Sequence, residues 1–201
     1  MNTRDDEYAN APYIQDSDGF IENWPRLAQS FRDTTQSQLD IPYGPGERQV
    51  FDLFEPKGTS KGLMIFVHGG YWMRFDKSMW SHLATGGVSA GYTVAMPSYT
   101  LCPETSISKI TLEVGQAITK IASMVEGPIY LSGHSAGGHL VSRMFCRDTP
   151  LAPPVLDRII NVISISGVHD LRPLVETTEI NSSLHLDMDE ACAESPALLL
   201  P

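Results

Sequence analysis

The sequence predicts an α/β protein with a doubly wound, mostly parallel sheet, and three observations lead to that prediction. Continuous apolar runs such as GLMIFVHG (62–69) are typical of strands that are buried on both faces. Helical patterns alternate with these runs, as expected when helices connect parallel strands. Stretches rich in glycine and histidine follow residues 67, 132 and 166, at the carboxyl edge of the sheet, where such folds bind their ligands.

The strongest patterns along the chain assign the elements of this core. Residues 48–56 alternate apolar and polar side chains, which indicates a half-exposed strand. Apolar residues at helical spacing predict an amphipathic helix over 105–126. The predicted strands are 48–56, 62–69, 92–99, 128–134 and 159–167, and the predicted helices are 76–91, 105–126 and 136–146. After residue 167 we expect irregular, acidic chain.

The N-terminal part differs from the core in composition. Residues 1–45 form a predicted N-terminal polar segment with a short helix, and residues 46–201 form the predicted core. Within the first part, residues 1–23 are polar and predict loop, and 23–38 predict the helix. The turn-rich stretch IPYGPGE (41–47) predicts a break between the two parts.

Composition and charge exclude several classes of partner. The chain has 201 residues, 42% of them hydrophobic, which is enough for a sizeable core. Its formal net charge of −10 disfavours nucleic acid and anionic membranes, because both bind clustered lysine and arginine. We therefore expect a small-molecule substrate, no nucleic acid partner and no membrane partner.

Three cysteines and the N-terminal sequence bear on the compartment. Cys102, Cys146 and Cys192 are far apart and follow no CxxC spacing, so neither a disulfide framework nor a zinc site is predicted. The N-terminus, MNTRDDEYANAPY, has no apolar signal-peptide core. No apolar run approaches the roughly 18 residues of a membrane-spanning helix. We expect free thiols and a cytoplasmic location.

A predicted nucleophile lies between a strand and a helix. The segment Gly133-His134-Ser135-Ala136-Gly137 fits the pattern G-x-S-x-G. A sharp strand-to-helix turn exposes the serine hydroxyl, and the glycines leave room for that turn. Ser135 is therefore the candidate catalytic residue. The alternative is a glycine-rich helix start in which the serine only caps the helix.

The loop HGGYW (68–72) predicts an oxyanion hole. Two glycines let the backbone turn so that its N–H groups face the cleft. Gly70 and Tyr71 are the predicted donors, together with Ala136, the residue after the nucleophile. Gly69 gives the loop its freedom. The alternative is an ordinary Gly-Gly turn.

Further candidates concern the pocket and the triad acid. We expect Gly69, Trp72 and His134 to line the substrate pocket, although an aromatic residue at such a position can also be simple packing. Asp170 follows the last predicted strand, where a carboxylate could reach the cleft and act as the triad acid. The alternative for Asp170 is a helix cap or a charge partner for Arg172.

These segments together resemble the α/β-hydrolase superfamily, and more narrowly the kynurenine formamidase (arylformamidase) group, neighbours of the hormone-sensitive-lipase-like esterases. The matching segments are HGGYW at 68–72, GHSAGGHL at 133–140, SGVHDLRPLVET at 166–177, and a tail pattern that includes Ile180, Asn181 and Ser195-Pro196. HGGYW is the informative segment, because general lipase-like relatives more often have HGGG. The resemblance covers most of the chain from about residue 45 onward.

The resemblance implies an α/β-hydrolase fold and a covalent mechanism. In that family a serine attacks the formyl carbonyl of N-formylkynurenine, kynurenine leaves, and water releases formate from the formyl-enzyme. This assigns Ser135 as nucleophile and Gly70, Tyr71 and Ala136 as oxyanion donors. It implies no metal and no organic cofactor. A general carboxylesterase that uses the same residues is the alternative.

The sequence departs from the family pattern at its C-terminal end. The superfamily places the acid after a seventh strand and the histidine base after an eighth, and neither is found after Ser135. We expect a sheet that lacks its last two strands and a C-terminally incomplete core. His169 or His185 as base, or a non-catalytic binding module, are the alternatives. An exposed sheet edge makes a homodimer a candidate assembly.

Overall fold

Residues 3–199 are described by the structure, a computed structural model, and their strands form one mixed sheet. The sheet has six strands in the order β1-β2-β4-β3-β5-β6. The strands are β1 (Ser37–Pro42), β2 (Val50–Phe54), β3 (Leu63–Val67), β4 (Thr93–Pro97), β5 (Ile129–His134) and β6 (Ile159–Ile165). β2 runs antiparallel to both β1 and β4. β4, β3, β5 and β6 run parallel to one another, so the prediction of a mostly parallel sheet is confirmed.

Helices connect the strands and cover both faces of the sheet. They are α1 (Thr3–Glu7), α2 (Ser17–Thr34), α3 (Thr85–Ser89), α4 (Ile107–Ala122), α5 (Ala136–Arg143), α6 (Pro153–Leu156), α7 (Asn181–Leu184) and α8 (Met188–Ala193). Short 3-10 turns occupy Ala11–Tyr13, Lys77–Met79, Ser81–Ala84, Arg172–Glu176 and Pro196–Leu198. None of the helices within residues 3–199 is both long enough and apolar enough to cross a membrane.

The period-2 alternation of the strands divides the core between two faces. On one face, side chains of β3 and β5 such as Ile65 and Leu131 pack with α4 and α5. On the other face, Val94 and Met96 of β4 pack with Trp80 and with residues of α2. Because central strands contribute apolar side chains to both faces, they form continuous apolar runs in the sequence.

The N-terminal part is more regular than predicted. The expectation of loop over residues 1–23 is wrong for the described residues, because α1, a 3-10 turn and the first turns of α2 lie there. Trp24 and Phe31 of α2 pack on the core at helical spacing, which gives this polar helix its tertiary support. The many polar residues around them conceal that pattern in the sequence.

The edge strand β1 was not predicted. It is mostly exposed and its pairing with β2 shifts register between Gln38 and Ile41, so no clear alternation is visible in the sequence. β1 lies before residue 45 and still belongs to the sheet, so the sheet extends across the predicted boundary between the two parts.

Two other segments differ from the prediction. The single helix predicted over 76–91 is two 3-10 turns followed by α3. The acidic stretch after residue 167, predicted as irregular, contains α8, whose start is capped by the Asp187 carboxylate accepting the N–H of Glu190 at 2.8 Å.

The sheet ends at β6 on the side of the nucleophile strand β5. Within residues 3–199 no strand follows β6, in agreement with the predicted sheet that lacks its last two strands. Ile160, Ile163 and Ile165 of β6 are 62%, 50% and 46% exposed. This strand therefore presents apolar side chains and a free backbone edge.

Candidate active site

Ser135 occupies a strained turn between β5 and α5. Its backbone angles, φ 55° and ψ −118°, lie outside the regions that a non-glycine residue normally adopts. The turn is fixed by its N–H, which donates to the carbonyl of Ile165 at 2.8 Å. The side chain forms no capping hydrogen bond with α5, so the alternative of a simple helix cap is wrong. The turn presents the hydroxyl at the carboxyl edge of the sheet, as a nucleophile requires.

Close backbone packing explains the glycines around this serine. A Cβ atom added to Gly133 would lie 2.2 Å from the carbonyl oxygen of Gly137, so a side chain there cannot be accommodated. A Cβ atom added to Gly69 would lie 2.7 Å from the carbonyl oxygen of His134 and 3.0 Å from the Cβ of Ser135. The loop that carries Gly69 therefore packs directly against the nucleophile turn.

The loop HGGYW has an unusual backbone at the predicted oxyanion donors. Gly70, Tyr71 and Trp72 have φ values of 118°, 51° and 56° in succession. Such a run of positive φ is strained at the two non-glycine residues. Among residues 3–199 no acceptor is found for the backbone N–H groups of Gly70, Tyr71 and Ala136. Three N–H donors beside Ser135 thus remain available to a ligand. Ala136 is also the first residue of α5, and the N-terminal end of a helix favours negative charge.

A cavity of about 510 Å³ opens above Ser135. Gly69, Tyr71 and His134 line it together with the nucleophile. Burial lowers the pKa of His134, which keeps its imidazole neutral. The cavity is the size of a small-molecule site, and Ser135 is part of its lining.

Trp72 does not line this cavity, so that prediction is wrong. Its side chain is fully buried, and its Nε1–H donates to Nδ1 of His139 at 3.3 Å. Tyr71 and Trp72 are neighbours, but Tyr71 faces the cavity while the larger indole enters the core. Burial of that large apolar surface and a satisfied indole N–H account for the difference.

Residues 3–24, which we call the arm, supply about half of the cavity lining, and sequence reasoning missed this role. Its large apolar side chains include Tyr8, Ile14, Phe20 and Trp24. Trp24 stacks at a tilt on Trp80, with 4.5 Å between ring centroids, so that end of the arm is held against the core. A polar segment far from both motifs gives no sequence signal for a pocket wall.

Arg74 and Glu179 are charged side chains at the cavity that form no ion pair within residues 3–199. Arg74 follows the oxyanion loop, and its guanidinium carbon lies 5.6 Å from the centroid of the Phe75 ring. Glu179 reaches the cavity from the segment before α7. A cation and an anion are therefore both available to a bound molecule.

None of the six histidines forms a hydrogen bond with Ser135 in the part of the chain that the structure describes. His68 and His139 are buried and engaged with Gly69 and Glu194 carbonyls, at 2.7 Å in each case. Burial lowers the pKa of His68 to about 4 and that of His139 to about 3, so both are neutral.

His169 and His185, the two histidines proposed as the base, have different surroundings. Nε2 of His169 lies 2.9 Å from the Ser164 hydroxyl and 3.2 Å from the Ser142 hydroxyl. His185 is exposed and ends α7 with a left-handed backbone. Neither imidazole forms a hydrogen bond with Ser135 in the described chain.

Asp170 forms an ion pair with a neighbour. Its Oδ2 lies 2.7 Å from a guanidinium nitrogen of Arg172, which lowers the pKa of the carboxyl. The charge-partner alternative thus describes the observed contact. No histidine forms a hydrogen bond with the Asp170 carboxylate in the described chain, so its role as the triad acid stays a prediction.

Comparison with known proteins assigns this arrangement to a family. The sequence profile of the BD-FAE family matches residues 51–196, which contain both the HGGYW loop and the serine turn. The chain belongs to the BD-FAE family. The matched region contains the sheet from β2 onward and does not include the arm.

The chain is also similar to individual named proteins. It is 31% identical over 175 residues to kynurenine formamidase from Salmo salar, and the match covers 85% of this chain and 58% of the salmon protein. The chain thus spans less than two thirds of the length of that curated relative. The resemblance carried by 68–72 and 133–140 is confirmed.

Solved structures confirm the α/β-hydrolase fold. A proposed thioesterase from Silicibacter sp. TM1040 is 51% identical with a TM-score of 0.94, and the match covers 96% of this chain and 74% of that chain. An inhibited esterase B from Lactobacillus rhamnosis is 17% identical with a TM-score of 0.61, covering 90% of this chain and 67% of that one. The second likeness concerns the fold alone.

Proposed function

We propose that this protein is a serine hydrolase that cleaves small amides or esters through an acyl-enzyme on Ser135, with N-formylkynurenine and related aryl formamides as its substrates. One observation carries the proposal: the strained Ser135 turn faces a cavity beside three N–H groups that have no acceptor among the described residues. The salmon relative, named kynurenine formamidase, supports the choice of substrate.

The proposed reaction follows from the positions of these groups. Oγ of Ser135 attacks the formyl carbon and loses its proton to a base, and the carbonyl oxygen becomes an oxyanion. The N–H groups of Gly70, Tyr71 and Ala136 donate to that oxyanion. The C–N bond then breaks, the amine leaves with the proton, and a formyl ester remains on Ser135. Water hydrolyses this ester to formate and restores the hydroxyl.

The walls of the cavity support an aromatic leaving group. Its aromatic side chains include Tyr71, Phe20 and Trp24, which suit a planar ring. Arg74 and Glu179 lie on the same cavity without ion pairs in the described chain, and they suit the carboxylate and ammonium groups of an amino acid. N-formylkynurenine combines these features in one molecule.

The proposed reaction needs a base that accepts the proton of the Ser135 hydroxyl. A serine hydroxyl is a weak nucleophile without a base, and no imidazole forms a hydrogen bond with Ser135 within residues 3–199. The intact mass of the chain after exposure to a fluorophosphonate, with and without added imidazole, measures that need directly. Faster labelling with imidazole indicates a missing base, whereas labelling that disappears in His169→Ala or His185→Ala identifies an internal one.

The test of the proposal compares two substrates and two variants. We expect turnover of N-formyl-L-kynurenine and formanilide, with Ser135→Ala reducing turnover at least about a thousandfold and abolishing fluorophosphonate labelling. The matched control is Ser132→Ala, because that serine lies on the same strand and its hydroxyl donates to the Ile65 carbonyl. Equal turnover by wild type and Ser135→Ala contradicts the proposal.

A broader ester or thioester hydrolase is the second candidate. The 51% identical Silicibacter protein is described as a proposed thioesterase, and this observation favours the candidate. Turnover of p-nitrophenyl acetate and of an acyl thioester, with no turnover of either formamide, would select it. Absence of both labelling and turnover would instead favour the non-catalytic binding module.

A further inference from the structure

Tyr71 belongs to both the oxyanion loop and the contacts that hold the arm. Its backbone N–H is one of the three donors without an acceptor in the described chain. Its phenol hydroxyl donates to the backbone carbonyl of Tyr8, in the arm, at 2.6 Å. A single residue therefore joins the proposed catalytic loop to the opposite wall of the cavity.

The backbone strain of this loop needs contacts that hold it in place. Trp72 is held by its bond to His139 and by its carbonyl, which accepts the N–H of Cys102 at 2.8 Å. Gly70 adopts its positive φ at little cost. Tyr71 lies between them with φ 51°, and its described side-chain hydrogen bond is the one to Tyr8. Docking of the arm thus supports the strained conformation of Tyr71.

The first turn of the arm docks on the segment before α7. One carboxylate oxygen of Asp5 accepts the N–H groups of Thr178 and Glu179 at 2.8 Å and 3.1 Å. Asp5 is 5% exposed, so these are buried, charge-assisted bonds. Between Tyr8 and Trp24 the arm crosses the cavity with exposed side chains, including Phe20 at 54% exposure. Its position therefore depends on a few contacts at its ends.

We propose that Tyr71 is a positioning residue that couples docking of the arm to the geometry of the oxyanion hole. The inference rests on the proposed hydrolase function. With the arm docked, the bond from Tyr71 to Tyr8 holds the loop so that the Tyr71 N–H remains free for the oxyanion. With the arm released, the loop relaxes and that donor is lost. A leaving group that fills the cavity beneath the arm favours the docked state and is therefore hydrolysed with a higher kcat.

The first experiment removes only the phenol hydroxyl. With 1-naphthyl acetate as substrate, Tyr71→Phe should lower kcat about tenfold, a fraction of the loss of a whole oxyanion donor, and leave KM within about twofold. The matched control is Tyr13→Phe, which removes a phenol bonded to Asp6 on the exposed side of the arm. That control should keep the wild-type kcat. A change in KM alone would indicate packing and would overturn the proposal.

A double-mutant cycle tests the coupling through the arm. Asp5→Ala releases the docked turn from Thr178 and Glu179, and we expect it also to lower kcat. If both substitutions act by undocking the arm, the double variant should be no slower than the slower single variant. Amide hydrogen exchange within the arm should be faster in each variant than in wild type. Effects on kcat that multiply, with unchanged exchange in the arm, would overturn the coupling.

These outcomes separate the inference from the proposed function. An active wild type whose kcat is unaffected by Tyr71→Phe refutes the positioning role and leaves the hydrolase proposal intact. A wild type that neither hydrolyses any substrate nor labels at Ser135 refutes the hydrolase proposal itself, and the positioning role with it.

Discussion

The floor and the roof of the cavity are built in opposite ways. The floor, residues 68–72 and 133–137, consists of strained backbone at the ends of β3 and β5, packed so closely that side chains are excluded at its glycines. The roof is the arm, which crosses the cavity with exposed side chains such as Phe20 and Ile14. The floor carries the chemistry of the proposed reaction, and the arm shapes the space for the leaving group.

This difference indicates where the protein tolerates change. Closely packed backbone cannot adjust to an added atom, so a side chain added at one of the floor glycines should unfold the site or the whole domain. Side chains that are half exposed can be replaced at little expense in stability. We therefore expect substitutions at the floor glycines to lower the free energy of unfolding. Changes around the cavity rim should instead alter substrate preference.

The largest expected effect is that of Gly137→Ala. Its Cβ would lie 2.0 Å from the carbonyl oxygen of Val67, so α5 and β3 must separate. We expect the free energy of unfolding, measured by urea denaturation, to fall by at least about 4 kcal/mol. Gly86→Ala is the matched control, because no atom lies within 4 Å of its Cβ position in α3. That control should be neutral or stabilise by about 0.5–1 kcal/mol. Similar losses in both variants would show that the close packing of the floor is not decisive.

The next effect concerns the neutral histidine beneath the floor. The buried ring of His139 accepts from Trp72 at Nδ1 and contacts the Glu194 carbonyl at Nε2, and burial lowers its pKa to about 3. An unfolded chain takes up a proton on this histidine below about pH 6.5, whereas the folded chain does not until about pH 3. Between these values acidification therefore favours the unfolded state, by about 1.4 kcal/mol per pH unit for this group.

The measurement is the slope of the unfolding free energy between pH 6.5 and pH 4.5. His139→Gln should reduce that slope by about 1.4 kcal/mol per pH unit, whatever its effect on stability at pH 7. His185→Gln, which removes an imidazole at an exposed position, serves as the control for the substitution itself. An unchanged slope in His139→Gln would mean that this histidine is protonated in the folded protein.

The floor was predictable from the sequence because its physical requirements are local. A strained serine turn needs small neighbours within two residues, so Gly133, Ser135 and Gly137 occur together. The buried strands before each loop show as continuous apolar runs. The roles of Gly69 and His134 at the cavity follow from their places in the same two motifs.

The roof was not predictable, because its requirements are tertiary. Asp5 and Tyr8 gain their roles from contacts with Thr178 and Tyr71, which are far away in the sequence. Trp72 was misplaced for a related reason, since the sequence does not show which of two adjacent aromatics enters the core.

The smallest expected effect lies at the rim and concerns specificity. Arg74→Gln removes the cation that faces the cavity without an ion pair in the described chain, and it leaves the packed floor unchanged. We expect KM for N-formyl-L-kynurenine to rise about twofold to fivefold, the range of one exposed ion pair, and KM for the neutral formanilide to stay constant. Arg74→Lys should retain part of the preference, and the difference should shrink in high salt. Arg26→Gln, on the exposed face of α2 and outside the cavity, is the control. Equal increases of KM for both substrates would show that Arg74 shapes the rim and does not recognise charge.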